Sequence, residues 1–388
     1  ILIQINSKKN IIEKLEYLLH DETIINKIDN NNNFIVFKDK LYDFETQQFR
    51  EIEKQDFISN HLEYRLPEPD KEIQGKINDI IDDIFDNKNL KDYFWNSITY
   101  SLFTNKFEKF NVWTGTGSNG KGVIMLLLEK ALGNYMSQPN SYFLTRAEGG
   151  ANSALVQCKG KKIVMVSEPE HDKRGLLKFN TSFIKKLTGG DSISGRMLYK
   201  DEITFTPNFN VFCQCNEIPE IDTQDNSMKR RFVILPFKNT FVAPLDYKNE
   251  IHGNNPRFKK GNPNLKTTIK NNDNYAQQFM LMLINNSKGL YDKELIIPEE
   301  CKQASKDYIN DNNIVHEFIS ENFEIIEDME EVYSRRTSEL YNDFKHWGGF
   351  NGMKRKNFKY NLLLLKGVRE KRTNQGRVII GLKARPFN

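Results

Sequence analysis

Read for the spacing of its apolar residues, the chain divides into stretches of different period. Over about the first 70 residues short strand-like runs alternate with turns. Residues 34–37 and 41–44 flank Lys38-Asp39-Lys40 and predict a hairpin after an Asn-rich loop at 30–33. Leu66-Pro67-Glu68-Pro69-Asp70 breaks any periodic structure and reads as a linker. Beyond it Ile77, Ile80, Ile81, Ile84 and Phe85 recur at helical spacing, as do Leu90, Tyr93, Phe94, Ile98 and Leu102. They predict two amphipathic helices whose stripes are core packing.

From about residue 110 to 237 the rhythm changes. Strands are expected at 111–114, 163–166, 210–215 and 232–236, with helices at 123–132 and 183–187. Such alternation predicts an α/β layer around a largely parallel sheet. Residues 253–274, rich in Asn, Lys, Gly and Pro, read as a surface insertion. Helices resume at 275–285 and 299–310. In the last segment Val315, Phe318 and Ile319 fit one helix, Leu340, Tyr341 and Phe344 a second, and Phe358 with residues 362–365 a third. Residues 368–371 and 377–382 surround Thr373-Asn374-Gln375-Gly376, a hairpin signal. Helices followed by a hairpin predict a winged helix.

Composition adds limits. Of 388 residues, 38% are hydrophobic and 28% charged, enough for a sizeable core and unlike a disordered tail. The longest apolar runs, 123–128 and 362–365, are far too short to cross a bilayer. No secretory leader opens the chain, and Cys158, Cys213, Cys215 and Cys301 are too scattered for a disulfide framework or zinc cage. The expectation is an intracellular protein with reduced thiols. Its net charge of +4 is unevenly spread: residues 331–388 hold 14 basic and 4 acidic side chains, a local +10 that leaves −6 on the rest. A basic end suits a polyanion, although a solvated surface has the same charge. Asn makes up 44 of the 388 residues, which points to an AT-rich genome, and the start at Ile1 to a piece of a longer polypeptide.

The sharpest chemistry lies in Gly115-Thr116-Gly117-Ser118-Asn119-Gly120-Lys121-Gly122, between an expected strand and an expected helix. That is the context of a phosphate-binding loop. Its glycines let successive N–H groups point inward, the helix N-terminus adds positive potential, and Lys121 reaches the β- and γ-phosphates. Gly115, Gly117, Ser118, Asn119, Gly120, Lys121 and Gly122 are the candidate nucleotide-binding residues. The residue after such a lysine is ordinarily Ser or Thr, whose hydroxyl holds Mg²⁺; here it is Gly122. Either the metal relies on water and downstream acids, or catalysis is slowed.

An apolar strand ending in acid follows. Residues 163–166 lead into Ser167-Glu168-Pro169-Glu170, with Glu168 lying 47 residues after Lys121. Glu168 is the candidate to hold Mg²⁺ through water, and Glu170 to polarise the attacking water. Asn216, at the tip of the strand expected at 210–215, is the candidate contact to the γ-phosphate; its plainer reading is a turn-forming Asn before Glu217-Ile218-Pro219. Cys213 and Cys215 read as buried small hydrophobes. Fourteen residues beyond Asn216 stands Arg230-Arg231. An arginine that completes a neighbouring subunit's site stabilises transition-state charge and demands an oligomer; otherwise the pair is a basic strand flank. In between, Gly189-Gly190-Asp191 ends a helix and a β-excursion follows with Arg196, Tyr199 and Lys200. In a ring it could place cations and an aromatic ring in a channel for single-stranded DNA, or it is a solvated hairpin.

Together these residues resemble a known family. The order Asn119-Gly120-Lys121, Ser167-Glu168-Pro169-Glu170, then Lys186-Leu187-Thr188-Gly189-Gly190-Asp191 running on to Arg196-Met197-Leu198-Tyr199-Lys200, then Asn216-Glu217-Ile218-Pro219 and Arg230-Arg231, is similar to the superfamily III helicase domain of primase-helicases. Its relatives are poxviruses, other nucleocytoplasmic large DNA viruses, and phages and plasmids. Residues 34–59, Ala151-Asn152-Ser153-Ala154-Leu155 and Lys159-Gly160-Lys161 fit too. The resemblance implies an α/β fold: an AAA+-type P-loop ATPase core with a parallel sheet, a small N-terminal α+β/helical domain (1–72), the helicase domain (73–310) and a basic C-terminal winged-helix domain (311–388). It also implies ATP and Mg²⁺, a homo-hexamer moving 3′ to 5′ on single-stranded or forked DNA, an upstream primase domain, no membrane, and a place in a host or prokaryotic cytoplasm. Lys121, Glu168, Asn216 and Arg230/Arg231 take the roles above by motif. Two departures are Gly122 and Pro169, which separates acids that are adjacent in many members. An alternative is a DNA-binding or packaging ATPase without unwinding; a metabolic P-loop kinase would not need the Thr-Gly-Gly-Asp block.

Overall fold

The computed structural model describes residues 5–19, 27–29, 33–103, 108–145, 152–170, 177–221, 226–326, 334–348, 353–363, 365, 367–373 and 376–385. Residues 30–32 of the expected Asn loop, Ala151, Leu364 and the Asn374-Gln375 turn lie outside them. The chain is helical over Ile5–Leu19, where alternating strands and turns are expected. Ile11, Ile12 and Leu15 share the helical spacing but stay exposed, so no core contact marks this helix. Phe34–Val36 (β1), Leu41–Asp43 (β2) and Gln48–Arg50 (β3) follow as an antiparallel meander, one strand longer than the expected hairpin.

Helix Lys71–Ile84 begins where the Asp70 carboxylate accepts the N–H groups of Glu72 and Ile73. It buries Ile73, Ile77, Ile81 and Ile84, each worth about 2 kcal/mol of apolar burial. Helix Lys88–Tyr100 is capped by Asn87 in the same way. Both pack, with the meander, on one face of the central sheet.

That sheet consists of Phe110–Thr114 (β4), Met136–Ser137 (β5), Ile163–Ser167 (β6), Asn210–Cys215 (β9) and Phe232–Pro236 (β10). Ile193–Arg196 (β7) and Glu202–Phe205 (β8) form a separate antiparallel hairpin ahead of β9. The sheet order is β10-β4-β9-β6-β5, and every pairing is parallel. Successive side chains of a strand point to opposite faces, and the core divides accordingly. Trp113, Ile163, Met165, Phe212, Val233 and Leu235 join the layer containing the N-terminal helices. Val112, Val164, Val166, Val211, Cys213 and Ile234 join a second layer on the other face. Both faces are buried, so these strands read as continuous apolar runs rather than alternating ones. All four cysteines are free and buried.

Residues 253–274 lie mostly at the surface, as their composition suggests, but they are ordered and pack on a cleft. Thr240–Val242 (β11) pairs in parallel with Phe258–Lys260 (β12), and helix Leu265–Asn271 packs on helix Lys121–Leu132 through buried Ile269. Few apolar residues do this, which is why turn chemistry dominates the composition. Helix Asn274–Ser287 covers the same layer. Helix Glu299–Asn322 then runs unbroken across residue 311, where the sequence suggested a boundary. Beyond it lie Phe323–Ile325 (β13), Arg335–Arg336 (β14), helices Thr337–Gly348 and Arg355–Leu363, Arg369–Thr373 (β15), Gly376–Ile380 (β16) and Leu382–Ala384 (β17). They enclose a third core around Phe318, Phe344, Phe358 and Leu362. Its helix Arg355–Leu363 touches the central unit: the Lys356 ammonium is 3.0 Å from Glu217, and the Tyr360 hydroxyl donates to the Leu177 carbonyl. Among the described residues no helix is long and apolar enough to cross a membrane.

Candidate functional site

Three parallel strands end at one edge, where open α/β sheets bind ligands. The register pairs Thr114 with Cys215 and Ser167 with Gln214, so Gly115, Asn216 and Glu168 leave β4, β9 and β6 side by side. The loop after β4 is tightly drawn. A Cβ on Gly115 would stand 2.3 Å from the Phe237 carbonyl oxygen, and one on Gly120 2.5 Å from the Ile84 side chain. Gly120 also has φ +90, which favours glycine. The loop is fixed from outside by the Phe241 N–H, which donates to the Ser118 carbonyl at 2.6 Å.

Lys121 opens the following helix and is 3% exposed. Its ammonium donates to the Gly115 carbonyl at 2.8 Å and to Asn216 Oδ1 at 3.1 Å. Burial pushes its pKa down, against the field of the Glu168 carboxylate, which raises it. Glu168 has φ +44, a left-handed conformation that costs a non-glycine residue on the order of 1 kcal/mol. Its N–H donates to the Gln214 carbonyl at 2.7 Å, and its carboxylate accepts the Asn216 N–H at 3.4 Å. Asn119 Oδ1 accepts the Lys121 N–H at 3.3 Å, whereas Asn119 Nδ2 and Gln214 Oε1 are buried with no hydrogen-bond partner.

These residues border a cleft of about 580 Å³. Gly117, Ser118, Asn119, Gly120, Lys121 and Gly122 line it with Glu168 and Asn216. Ile80, Ile84, Phe241, Pro263 and Leu265 add an apolar wall. The charged lining residues are Lys121, Lys260 and Lys266 against Asp83 and Glu168, a balance that favours an anion. Burial raises the Asp83 carboxyl pKa, with Lys259 opposing the shift.

Other residues singled out by the sequence lie elsewhere. Glu170 does not line the cleft; the strand ends at Ser167, the chain bends at Glu168, and the Glu170 carboxylate accepts Ser141 Oγ at 2.9 Å. Arg230 and Arg231 precede β10, whose first residue pairs with the first residue of β4. They therefore sit one strand length, roughly 16 Å, from the loop at the other end of β4. The Arg230 side chain is 67% exposed and that of Arg231 10%, and both reach Glu108 at 3.4 Å. Arg231 is also tied back to Ser227. Arg196, Tyr199 and Lys200 lie in the exposed tip region of the β7–β8 hairpin, far enough out that Tyr199 is wholly exposed.

Comparison with known proteins places these features in a lineage. Residues 2–86 match a family described as D5 N terminal like, and residues 113–231 a family of unknown function (DUF5906). The "Putative helicase L207/L206" of Acanthamoeba polyphaga mimivirus is 27% identical over 88% of this chain and 35% of that protein. The "Putative helicase 121R" of Invertebrate iridescent virus 3 is 28% identical over 61% and 26%. The "Putative primase C962R" of African swine fever virus is 23% identical over 89% and 36%. The chain is similar over most of its length to viral proteins described as putative helicases and a putative primase. It spans about a third of the length of the mimivirus and swine fever proteins.

Sequence motifs missed one wall of the cleft. Asp83, Phe241, Lys260 and Lys266 belong to it although no motif marks them. The available signal was position: Phe241 follows β10 closely, and Lys266 lies in a helix short enough to hide among turn residues.

Proposed function

We propose that the chain is an ATP-dependent DNA helicase of the AAA+ type, the superfamily III helicase part of a primase-helicase. The observation that carries this reading is the convergence of Lys121, Glu168 and Asn216 at the ends of three adjacent parallel strands. The insertion of β9 between the loop-bearing strand and the acidic strand supports an AAA+ core. In this reading the loop N–H groups and Lys121 bind the β- and γ-phosphates. Asn216 releases the Lys121 ammonium to phosphate and orients the attacking water. Glu168 accepts from that water or its metal shell.

Mg²⁺ fits the residues present, sparsely. Gly122 offers no hydroxyl, and no cluster of three or more His, Cys, Asp or Glu able to hold a metal occurs among the described residues. Glu168 would hold the ion together with phosphate oxygens and water, the usual mode for this ion. When bound it neutralises phosphate charge.

The assembly belongs to the same proposal. Arg230, exposed and remote from its own cleft, suits action on a neighbouring subunit in a homo-hexamer; Arg231, buried, supports it. Arg196, Tyr199 and Lys200 would contact single-stranded DNA inside the ring, with 3′-to-5′ movement as in the superfamily. The module after residue 310, two helices and a basic hairpin of β15 and β16 carrying Arg369, Lys371, Arg372 and Arg377, would be a winged helix on nucleic acid. Domains of 1–72 and 73–310, a C-terminal domain joined to them through the continuous helix Glu299–Asn322, an upstream primase, and an intracellular replication site complete it.

The test is unwinding of a forked DNA with ATP. Strand separation that needs hydrolysis supports the helicase; DNA-stimulated hydrolysis without separation would leave a DNA-binding or packaging ATPase instead.

A further inference from the structure

Gly122 removes the side chain that would ordinarily stand over the first turn of the phosphate-loop helix, and another group occupies the space. A Cβ at position 122 would lie 2.8 Å from Lys266 Nζ and 3.3 Å from its Cε. Lys266 lines the same cleft as Lys121 and Glu168. Among the described residues no hydrogen bond or ion pair holds the Lys266 ammonium.

The position is built by packing rather than by the lysine itself. Leu265 rests on the core and Ile269 is fully buried. The Lys130 ammonium, one helix over, donates to the carbonyls of Ile269 at 3.2 Å and Lys270 at 2.6 Å and pairs with Asp273 at 2.6 Å. On the other side the Gly261 N–H donates to the Val242 carbonyl at 2.7 Å, and β11 is joined to the phosphate loop through Phe241. Both ends of the segment carrying Lys266 are therefore tied to the elements that form the cleft.

The exposed Lys266 ammonium stands over the helix N-terminus in the cleft that Lys121 also lines, a place suited to an anion. The N-terminus of a helix carries about half a positive charge, and Lys121 adds a full one close by. We infer that Lys266 is a second phosphate-binding cation, contacting the β- or γ-phosphate of a nucleoside triphosphate in the space that Gly122 leaves open. This rests on the nucleotide reading of the cleft and adds to it a residue from outside the loop motif. It also gives the glycine a purpose: a side chain at 122 and the Lys266 ammonium compete for one place.

The test is calorimetric titration of the whole chain with ATP and with adenosine, with and without Mg²⁺. Lys266→Ala should weaken ATP binding about tenfold, the worth of one charge-assisted contact, and leave adenosine binding within twofold. Gly122→Ser should cause a similar loss without Mg²⁺ by displacing the ammonium. The double variant Gly122→Ser/Lys266→Ala should be no weaker than the worse single variant. Melting temperatures should stay close to wild type, since Leu265 and Ile269 hold the helix. Unchanged ATP affinity in Lys266→Ala, or an equal loss for adenosine, overturns the inference. If Lys121→Ala abolishes ATP binding while Lys266→Ala does not, the nucleotide reading stands and only the role of Lys266 falls. A wild-type chain that binds no ATP overturns both.

Discussion

Lys121 Nζ lies 3.1 Å from Asn216 Oδ1, so two residues 95 positions apart meet at the mouth of the cleft. Asn216 also donates its N–H to Glu168, which makes it the hinge between the cation and the acid. Among the described residues the ammonium donates only to neutral oxygens, Asn216 Oδ1 and the Gly115 carbonyl, and its charge is destabilised by burial. An arriving phosphate relieves that cost.

Lys121→Ala should accordingly reduce ATP turnover by at least about 100-fold, the scale of losing one preorganised charge contact in a transition state. Melting without nucleotide should be unchanged or slightly raised, because a buried charge is removed. Asn216→Ala should lower turnover while leaving ATP binding within a few fold. Steady hydrolysis by Lys121→Ala would remove the loop from the mechanism.

The two arginines should separate in stability and in function. Arg231 is buried against Ser227 and Glu108, so Arg231→Ala leaves a cavity and removes its bonds to both; a loss of about 2 kcal/mol is expected, read as a lower melting temperature. Arg230→Ala, at an exposed site, should melt within about 0.5 kcal/mol of wild type yet lose ATPase activity in the assembled protein. Mixing Arg230→Ala with Glu168→Gln chains should restore part of that activity, since some interfaces then hold an intact site. No recovery at any ratio would argue against action between subunits.

Much of the site was legible because its signals are local. The Gly-Lys loop and the four apolar strands are contiguous in sequence, and a sheet buried on both faces announces itself as unbroken hydrophobic runs such as Ile163–Ser167. What failed depends on contacts made at a distance. The Ile5–Leu19 helix is short of Gly and Pro signals and buries none of Ile11, Ile12 or Leu15. Lys266 reaches the cleft only through pairing of β11 with β12, which composition conceals. Glu168 and Glu170 stand two residues apart in sequence, yet only Glu168, with its left-handed backbone, lines the cleft.

The β7–β8 tip should read single-stranded DNA through two separable terms. Tyr199 is wholly exposed, so Tyr199→Ala should leave the melting temperature unchanged. It should weaken oligonucleotide binding about tenfold, the lower end of base stacking on an aromatic ring, without altering salt dependence. Lys200→Ala should instead flatten the slope of log affinity against log salt by about 0.7. Fluorescence anisotropy across a salt series distinguishes them, and equal affinity in both variants would exclude this tip from the DNA path.

Lys162 should give the fold a measurable pH dependence. It is 3% exposed between the meander and the sheet, where its own N–H donates to the Tyr135 carbonyl at 2.8 Å and its carbonyl accepts the Asn210 N–H at 2.9 Å. Burial pushes its ammonium pKa down to about 7, with the Asp29 carboxylate opposing the shift; Asp56 and Tyr135 border the same small cavity. An unfolded lysine titrates near 10.5, so between about 7 and 10.5 the unfolded chain holds a proton that the folded chain has released. Stability contributed by this group therefore rises with pH across that window and is independent of pH well below about 7. Lys162→Met should melt about 5 °C above wild type near pH 7, with the gap closing toward pH 10. A gap that stays constant or widens with pH would mean that Lys162 remains charged in the folded protein throughout.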